Sequence, residues 1–217
     1  QPLERFPLPF VSMWFIIPDL ELILPSASPR RAKLLSEANI SFDVRPSHVD
    51  ESFDPLAPPD ENARLVAIRK ASEVAKALPH QPTLAADTIV VLDEKVIGKP
   101  GDEEDAVRML VNLSGRGHIV YTGVALIDKS REINWSHVEK SSVFFKMVDR
   151  VSIERYVATG EPMDKAGAYA IQGGAKGWIE RFEGSETNII GLPMEPVMAA
   201  FKAFGYDFGK GIRLPCR

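Results

Sequence analysis

The spacing of apolar positions changes repeatedly along the chain, and the changes divide it into elements. Glu21 to Leu24 is a short apolar run that predicts a strand. Arg30 to Ala38 follows with helical spacing and ends near Asn39, a residue suited to a left-handed cap. Phe42 to Arg45 predicts a second short strand. Residues 46 to 60 are rich in Pro, Ser, Asp and Glu and predict a mobile loop carrying exposed carboxylates, Asp50 and Glu51 among them. From Glu61 to Leu78, apolar residues recur near a helical period at Leu65, Ile68, Val74, Ala75 and Leu78, with Arg64, Arg69, Lys70 and Lys76 between them. This is the longest predicted helix.

Thr83 to Leu92 is a β-rich run interrupted by Asp87, and Val96 to Gly98 returns as a short strand after the Asp93-Glu94 turn. Gly101 and Asp102 open a helix that runs through Leu113. Its first turn holds Glu103, Glu104 and Asp105, where the helix dipole favours acids, so these carboxylates read as structural. His118 to Ile127 and Ile133 to Val148 predict a long hairpin about a polar turn at 128–131. A helix from Ser152 to Thr159, a Gly-rich stretch from Gly160 to Gly177, a strand from Trp178 to Phe182 and a helix from Glu195 to Phe204 complete the pattern. Helices alternate with strands in the first half and a hairpin dominates the second. The expected class is therefore α/β with a mixed sheet, and two lobes around a cleft are the expected arrangement.

Composition narrows the function. The 217 residues, 45% hydrophobic and 26% charged, suffice for one or two cores. A formal charge of -4 gives no global attraction to nucleic acid or to an acidic membrane, so an anion site must be a local concentration of Lys and Arg. The single cysteine, Cys216, excludes an internal disulfide and a cysteine metal cluster and is compatible with a reducing cytoplasm. The apolar stretch from Phe10 to Ile17 is too short to span a bilayer and lacks a basic flank or a cleavage site. The expected organisation is an extension over residues 1–20, partly packed through Trp14 and Phe15, one domain over 21–207 and a tail over 208–217.

Candidate chemistry begins at Leu24-Pro-Ser-Ala-Ser-Pro-Arg-Arg31, a strand running into a helix. Ser28 can cap that helix and Pro29 fits its first position, where a missing N–H costs nothing. Unpaired N–H groups and the positive end of the dipole favour an anion there, and Arg30 and Arg31 add two charges. A phosphate is the expected ligand. A capped surface helix with two solvated arginines is the other reading of this octet.

Asp87, in Ala85-Ala86-Asp87-Thr88, places a carboxylate inside an apolar strand, where an unpaired charge is costly. A general base or a magnesium ligand would account for it, as would a nearby lysine. Lys99, between Gly98 and Pro100, and Lys165 and Gln172, among small residues, are placed where a bulky ligand could approach. Glu51, beside Asp50, offers loop oxygens to a cation, or is simply solvated. Together these are the parts that phosphoanhydride hydrolysis requires: cations, a metal and a carboxylate to activate water. No P-loop, His-Glu-x-x-His, CxxC or Gly-x-Ser-x-Gly motif is present. The four histidines are scattered and read as structural or solvent-facing.

Four ordered motifs, Ser26-Ala-Ser-Pro-Arg-Arg31, Ala86-Asp-Thr88, Gly98-Lys-Pro100 and Asp164-Lys-Ala-Gly-Ala-Tyr-Ala-Ile-Gln-Gly173, resemble the Maf family of nucleotide pyrophosphatases over roughly residues 21 to 204. The resemblance implies a fold similar to that of the inosine triphosphatases, magnesium or manganese as cofactor, and a homodimer. It implies hydrolysis of a nucleoside triphosphate to the monophosphate and pyrophosphate. It makes Asp87 the general base, with Glu51 and Lys99 also catalytic and Glu51 and Asp87 holding the metal. Ser26, Arg30, Arg31, Lys70, Thr88, Lys165 and Gln172 become the substrate-binding set. Thr88 after the aspartate points to the dTTP and UTP branch, and the Gln172 amide suits the O4 and N3–H edge of uracil or thymine because it both donates and accepts. Pro25 departs from the family's usual alanine, and residues 1–20 have no counterpart in it. A division regulator with little turnover and an inosine-triphosphatase-like enzyme are the alternatives.

Overall fold

The computed structural model describes residues 21–208; the expected extension with Trp14 and Phe15, and Cys216, lie outside the described residues. In chain order the elements are β1 (Leu22–Leu24), α1 (Pro29–Glu37), β2 (Phe42–Val44), α2 (Pro59–Ala77), β3 (Thr83–Leu92), β4 (Lys95–Ile97) and α3 (Glu103–Leu113). The hairpin β5 (Gly117–Asp128) and β6 (Ile133–Phe145) follows, then α4 (Arg150–Val157), β7 (Ile179–Glu183), α5 (Glu186–Ile190) and α6 (Met194–Ala203). Where the sequence shows only a Gly-rich stretch, short 3-10 turns form at Glu161–Asp164, Ala166–Ala168 and Gly174–Trp178.

One seven-stranded sheet runs through the molecule in the order β2-β1-β3-β5-β6-β7, with β4 on β3. The β1 pairings are parallel and the others antiparallel, which makes the sheet mixed as expected. On one edge β3 pairs with β5 from Thr83 to Val91. On its other edge it meets β1 at Thr83 and β4 from Val90 to Leu92. The residues between, including Asp87 and Thr88, have no strand beside them there. This gap is the cleft. The unit β1-α1-β2 lies on one side of it, β4 and the 3-10 turns on the other, and the Gly167 N–H donates to the Gly98 carbonyl at 3.0 Å to tie those two together. The expected two lobes thus share a single sheet.

Successive side chains of β3 point to opposite faces of that sheet. Leu84, Ala86 and Val90 enter the large core, which draws on α1, α3, α4 and α6. Ala85, Ile89 and Val91 face α2, whose Ala63, Ala67, Ala71 and Ala75 form a stripe of small residues against the strands. Burial on both faces explains why the strand reads as a nearly unbroken apolar run. Asp87 falls on the α2 face.

Some expectations require correction. The buried face of α2 is Ala63, Val66, Ala67, Lys70, Ala71, Val74 and Ala75, while Leu65, Ile68 and Leu78 are only half-buried. The 46–60 loop is exposed yet strapped to that helix: the His48 N–H donates to Glu73 Oε2 at 2.9 Å, and Arg69 Nη2 donates to the Ser52 carbonyl at 2.6 Å. Asn62 adds bonds to Asp54 and Ala57. Ser28 occupies the N-cap position of α1 without a side-chain capping bond. Asn39 does take the left-handed conformation, with φ 57°. Asp102 caps α3 through the Asp105 N–H at 2.7 Å, in keeping with a structural role for those acids. His118 is buried, and Phe208, expected in the tail, packs against Phe201 and Tyr206 in the core.

Candidate active site

The cleft holds a cavity of about 660 Å³, within the range of small-molecule sites. Ser26, Arg30, Arg31, Glu51, Lys70, Asp87, Thr88, Lys99, Lys165 and Gln172 all line it. Residues separated by as much as two-thirds of the chain therefore meet in one place.

At one wall, the buried Lys70 of α2 reaches the sheet and places its Nζ 2.8 Å from Asp87 Oδ1 and 2.9 Å from Glu51 Oε2. The ammonium neutralises a carboxylate that would otherwise be costly inside an apolar strand. Two positional facts produce this contact. Lys70 shares the small-residue face of α2, and Gly123, the β5 partner of Asp87, carries no side chain to hold the helix away.

Arg31 forms the second node, at the start of α1. Its Nε donates to the Gly191 carbonyl at 2.8 Å, Nη1 to Ser26 Oγ at 3.1 Å and Nη2 to Thr88 Oγ1 at 3.1 Å. Desolvation is the main influence on this guanidinium and lowers its pKa from the ordinary value; Asp87 opposes the shift and Arg30 reinforces it. Arginine remains charged under such a shift, so the positive charge is fixed in place. Ser26 Oγ also accepts the Ser28 N–H at 3.2 Å, tying the strand end to the helix start. Thr88 Oγ1 lies 2.9 Å from Thr122 Oγ1, which itself donates to the Asn188 carbonyl at 3.0 Å. The Thr88 hydroxyl thus donates to Thr122 and accepts from Arg31, and its immediate work is to orient Arg31.

Across the cleft, Arg30 Nη1 faces Asp164 Oδ2 at 3.7 Å, an ion pair between the two rims. Lys165 Nζ lies 2.5 Å from Asp164 Oδ1 and donates to the Glu161 carbonyl. Burial tends to raise the Asp164 pKa, but the hydrogen bond and charge of Lys165, with Arg30, hold it below its ordinary value. Gln172 and Lys99 are exposed at the same rim, with side chains free to approach a ligand.

Asp87 and Glu51 converge on one cation, which shows that both carboxylates reach the same point of the cavity. Their oxygens are hard donors of the kind magnesium and manganese take, alongside waters and substrate phosphates. Among the described residues no group of three or more His, Cys, Asp or Glu is placed to hold a metal. The donor set therefore fits a cation only if phosphate oxygens complete the shell.

Several participants escaped the sequence reading. Helix α5 is too short to show a period, yet it delivers the Asn188 carbonyl and the Gly191 turn to the site. Its visible signal is the cap: Ser185 Oγ accepts the Asn188 N–H at 3.2 Å. The buried Asn188 amide anchors the helix to the sheet by donating to the Val120 carbonyl at 3.1 Å and Ser141 Oγ at 2.9 Å. Tyr169 also lines the cavity, with its hydroxyl 2.7 Å from His118 Nε2 in an aromatic cluster with Phe145. Burial lowers the His118 pKa to about 4, so the ring is neutral near pH 7.

Known proteins resemble this chain over most of its length. A "dTTP/UTP pyrophosphatase" of Pelotomaculum thermopropionicum is 46% identical over 188 residues, covering 86% of this chain and 98% of that protein. One of the same name from Geobacter metallireducens is 48% identical over 185 residues, covering 85% and 96%. Among solved structures, the Ham1 protein of Staphylococcus aureus matches with a TM-score of 0.48 at 14% identity, over 85% of this chain and 99% of that one. The family model described as Maf-like protein matches residues 21–204, a span that contains the whole cavity wall described above. This chain belongs to the Maf-like protein family.

Proposed function

We propose that this chain hydrolyses dTTP and UTP to the nucleoside monophosphate and pyrophosphate. The observation that carries the reading is the opposition, within one cavity, of a carboxylate and lysine cluster to a helix start armed with two arginines. The first can activate water and the second can hold a triphosphate.

In this reading Arg31, fixed by Ser26, Thr88 and Gly191, and the N-terminus of α1 bind phosphate oxygens, with Arg30, Lys99 and Lys165 adding charge from the rims. Lys70 pairs with Asp87 through Oδ1, and Asp87 takes the proton of the attacking water. The water oxygen bonds to the α-phosphorus as the bond to the α–β bridging oxygen breaks, and that oxygen leaves on pyrophosphate. Lys99 stabilises the departing charge. Magnesium or manganese, held by Asp87 and Glu51 with phosphate oxygens, would supply further neutralisation of the triphosphate. Gln172 reads the O4 and N3–H edge of the pyrimidine. The homodimer and the cytoplasmic setting belong to the same proposal; the former is supported by the family resemblance and checked by light scattering, the latter by cell fractionation.

The test is a panel of nucleoside triphosphates with magnesium, assayed for pyrophosphate and orthophosphate separately. Pyrophosphate with the monophosphate from UTP and dTTP is expected. Orthophosphate as the sole product, or purine triphosphates as the best substrates, would overturn the proposal.

A further inference from the structure

Glu161 bonds both Lys165 and the chain two residues beyond Gln172, although it is itself absent from the cavity wall. Its main-chain carbonyl accepts from Lys165 Nζ. Its carboxylate accepts the Tyr156 hydroxyl at 2.9 Å, and the Gly174 N–H approaches Oε2 at 3.1 Å and Oε1 at 3.2 Å. Tyr156 stays protonated and able to donate, because burial and the neighbouring carboxylate push its pKa up. The chain that carries Gln172 is thereby fastened to α4, and Lys165 to the same residue.

Gly173 shows how closely the carboxylate fits. Its φ of -102° is accessible to any residue, so the reason for a glycine is space. A Cβ there would lie 1.7 Å from Glu161 Oε1, 2.7 Å from its Cδ and 3.2 Å from Oε2, and those are the three nearest atoms. The glycine leaves room for the Glu161 carboxylate, which a Cβ would push aside.

We propose that Glu161 is a positioning residue for nucleotide recognition, locking Gln172 and Lys165 into one rigid unit so that base and phosphate are read at a fixed separation. The inference rests on reading the cavity as a pyrimidine triphosphate site. A residue of this kind acts on substrate affinity and base discrimination rather than on the chemical step.

The experiment is a double-mutant cycle of Glu161→Ala and Gly173→Ala, with Glu161→Gln as the conservative variant, measured with UTP and CTP. Glu161→Ala should raise KM for UTP about tenfold or more, narrow the preference for UTP over CTP, and leave kcat within about threefold. Glu161→Gln, which keeps one accepting oxygen, should recover part of the loss. Gly173→Ala should imitate Glu161→Ala, and the double variant should be no worse than Glu161→Ala alone, since the carboxylate that excludes the Cβ is gone. Additive losses in the cycle, or a lowered melting temperature with KM and discrimination unmoved, would overturn the proposal. If the wild-type protein binds UTP without turnover, the hydrolase reading fails, and dissociation constants carry the same comparison. A wild-type protein that binds none of the panel overturns both.

Discussion

Gly123 stands opposite Asp87 in the ladder between β3 and β5, and the backbone of α2 rests directly on it. A Cβ at this position would come within 2.4 Å of the Ala63 carbonyl group and 2.5 Å of the Arg64 nitrogen. Neither is the end of a flexible side chain, so the helix itself would have to move. Gly123→Ala should therefore cost about 1–3 kcal/mol of stability, as overpacking typically does. It should also lower turnover, because Lys70 rides on the displaced helix. Urea denaturation and steady-state kinetics on the same sample check both; unchanged values would show that α2 does not need this contact.

Asp87→Asn keeps an oxygen for Lys70 while removing the capacity to take a proton. Turnover should fall by roughly 10²–10⁴, the usual contribution of a general base, with UTP affinity changed by less than about threefold. Near-normal kcat would reject Asp87 as the base.

Thr88→Val preserves shape and deletes the hydroxyl that lies between Arg31 and Thr122. Both partners lose a hydrogen bond in a partly buried setting, which should cost about 1–3 kcal/mol in a thermal or denaturant melt. KM for UTP should rise more than kcat falls, since the loosened Arg31 belongs to binding. A kcat defect with unaltered KM would contradict that assignment.

His118 gives stability a pH dependence with a definite sign. Its folded pKa, about 4, lies below the ordinary 6.5, so the unfolded chain binds the extra proton between those values. The contribution is complete above pH 6.5 and is lost as pH falls toward 4, by on the order of 3 kcal/mol at most. Denaturant melts from pH 4 to 8 should show this slope in the wild type and a shallower one in His118→Gln. Parallel slopes in the two proteins would assign the dependence to other groups.

Most residues of the candidate site were legible because they sit in short local motifs, Glu51 and Lys70 excepted. A strand end followed by Ser-Pro-Arg-Arg can only present N–H groups and charge at a helix start, and a carboxylate within Ala-Ala-Asp-Thr advertises its need for a partner. That partner could not be identified the same way. Lys70 reads as one more cation on an amphipathic helix until the alanine stripe shows that its face is the buried one. The cap residue also went astray: Ser28 occupies the capping position without making a side-chain capping bond, and Ser26 Oγ instead accepts the Ser28 N–H, since side-chain direction at a strand end depends on the neighbouring chain. Helix α5 left no periodic signal because five residues do not complete two turns.

What the sequence determined by itself was the inventory and the class: alternating strands and helices, a mixed sheet, a doubly charged helix start at α1 and an acid stranded in β3. These follow from local spacing and from the cost of placing charge among apolar side chains. Only the tertiary structure decided which groups meet. The opening in the sheet between β1 and β4 depends on strand order. The approach of Lys70 to Asp87 depends on α2 packing against a glycine more than fifty residues further along the chain. The fit of Glu161 into the space at Gly173 depends on a turn closing back on α4. Such contacts are set by packing between elements distant in sequence, for which no local pattern carries a record.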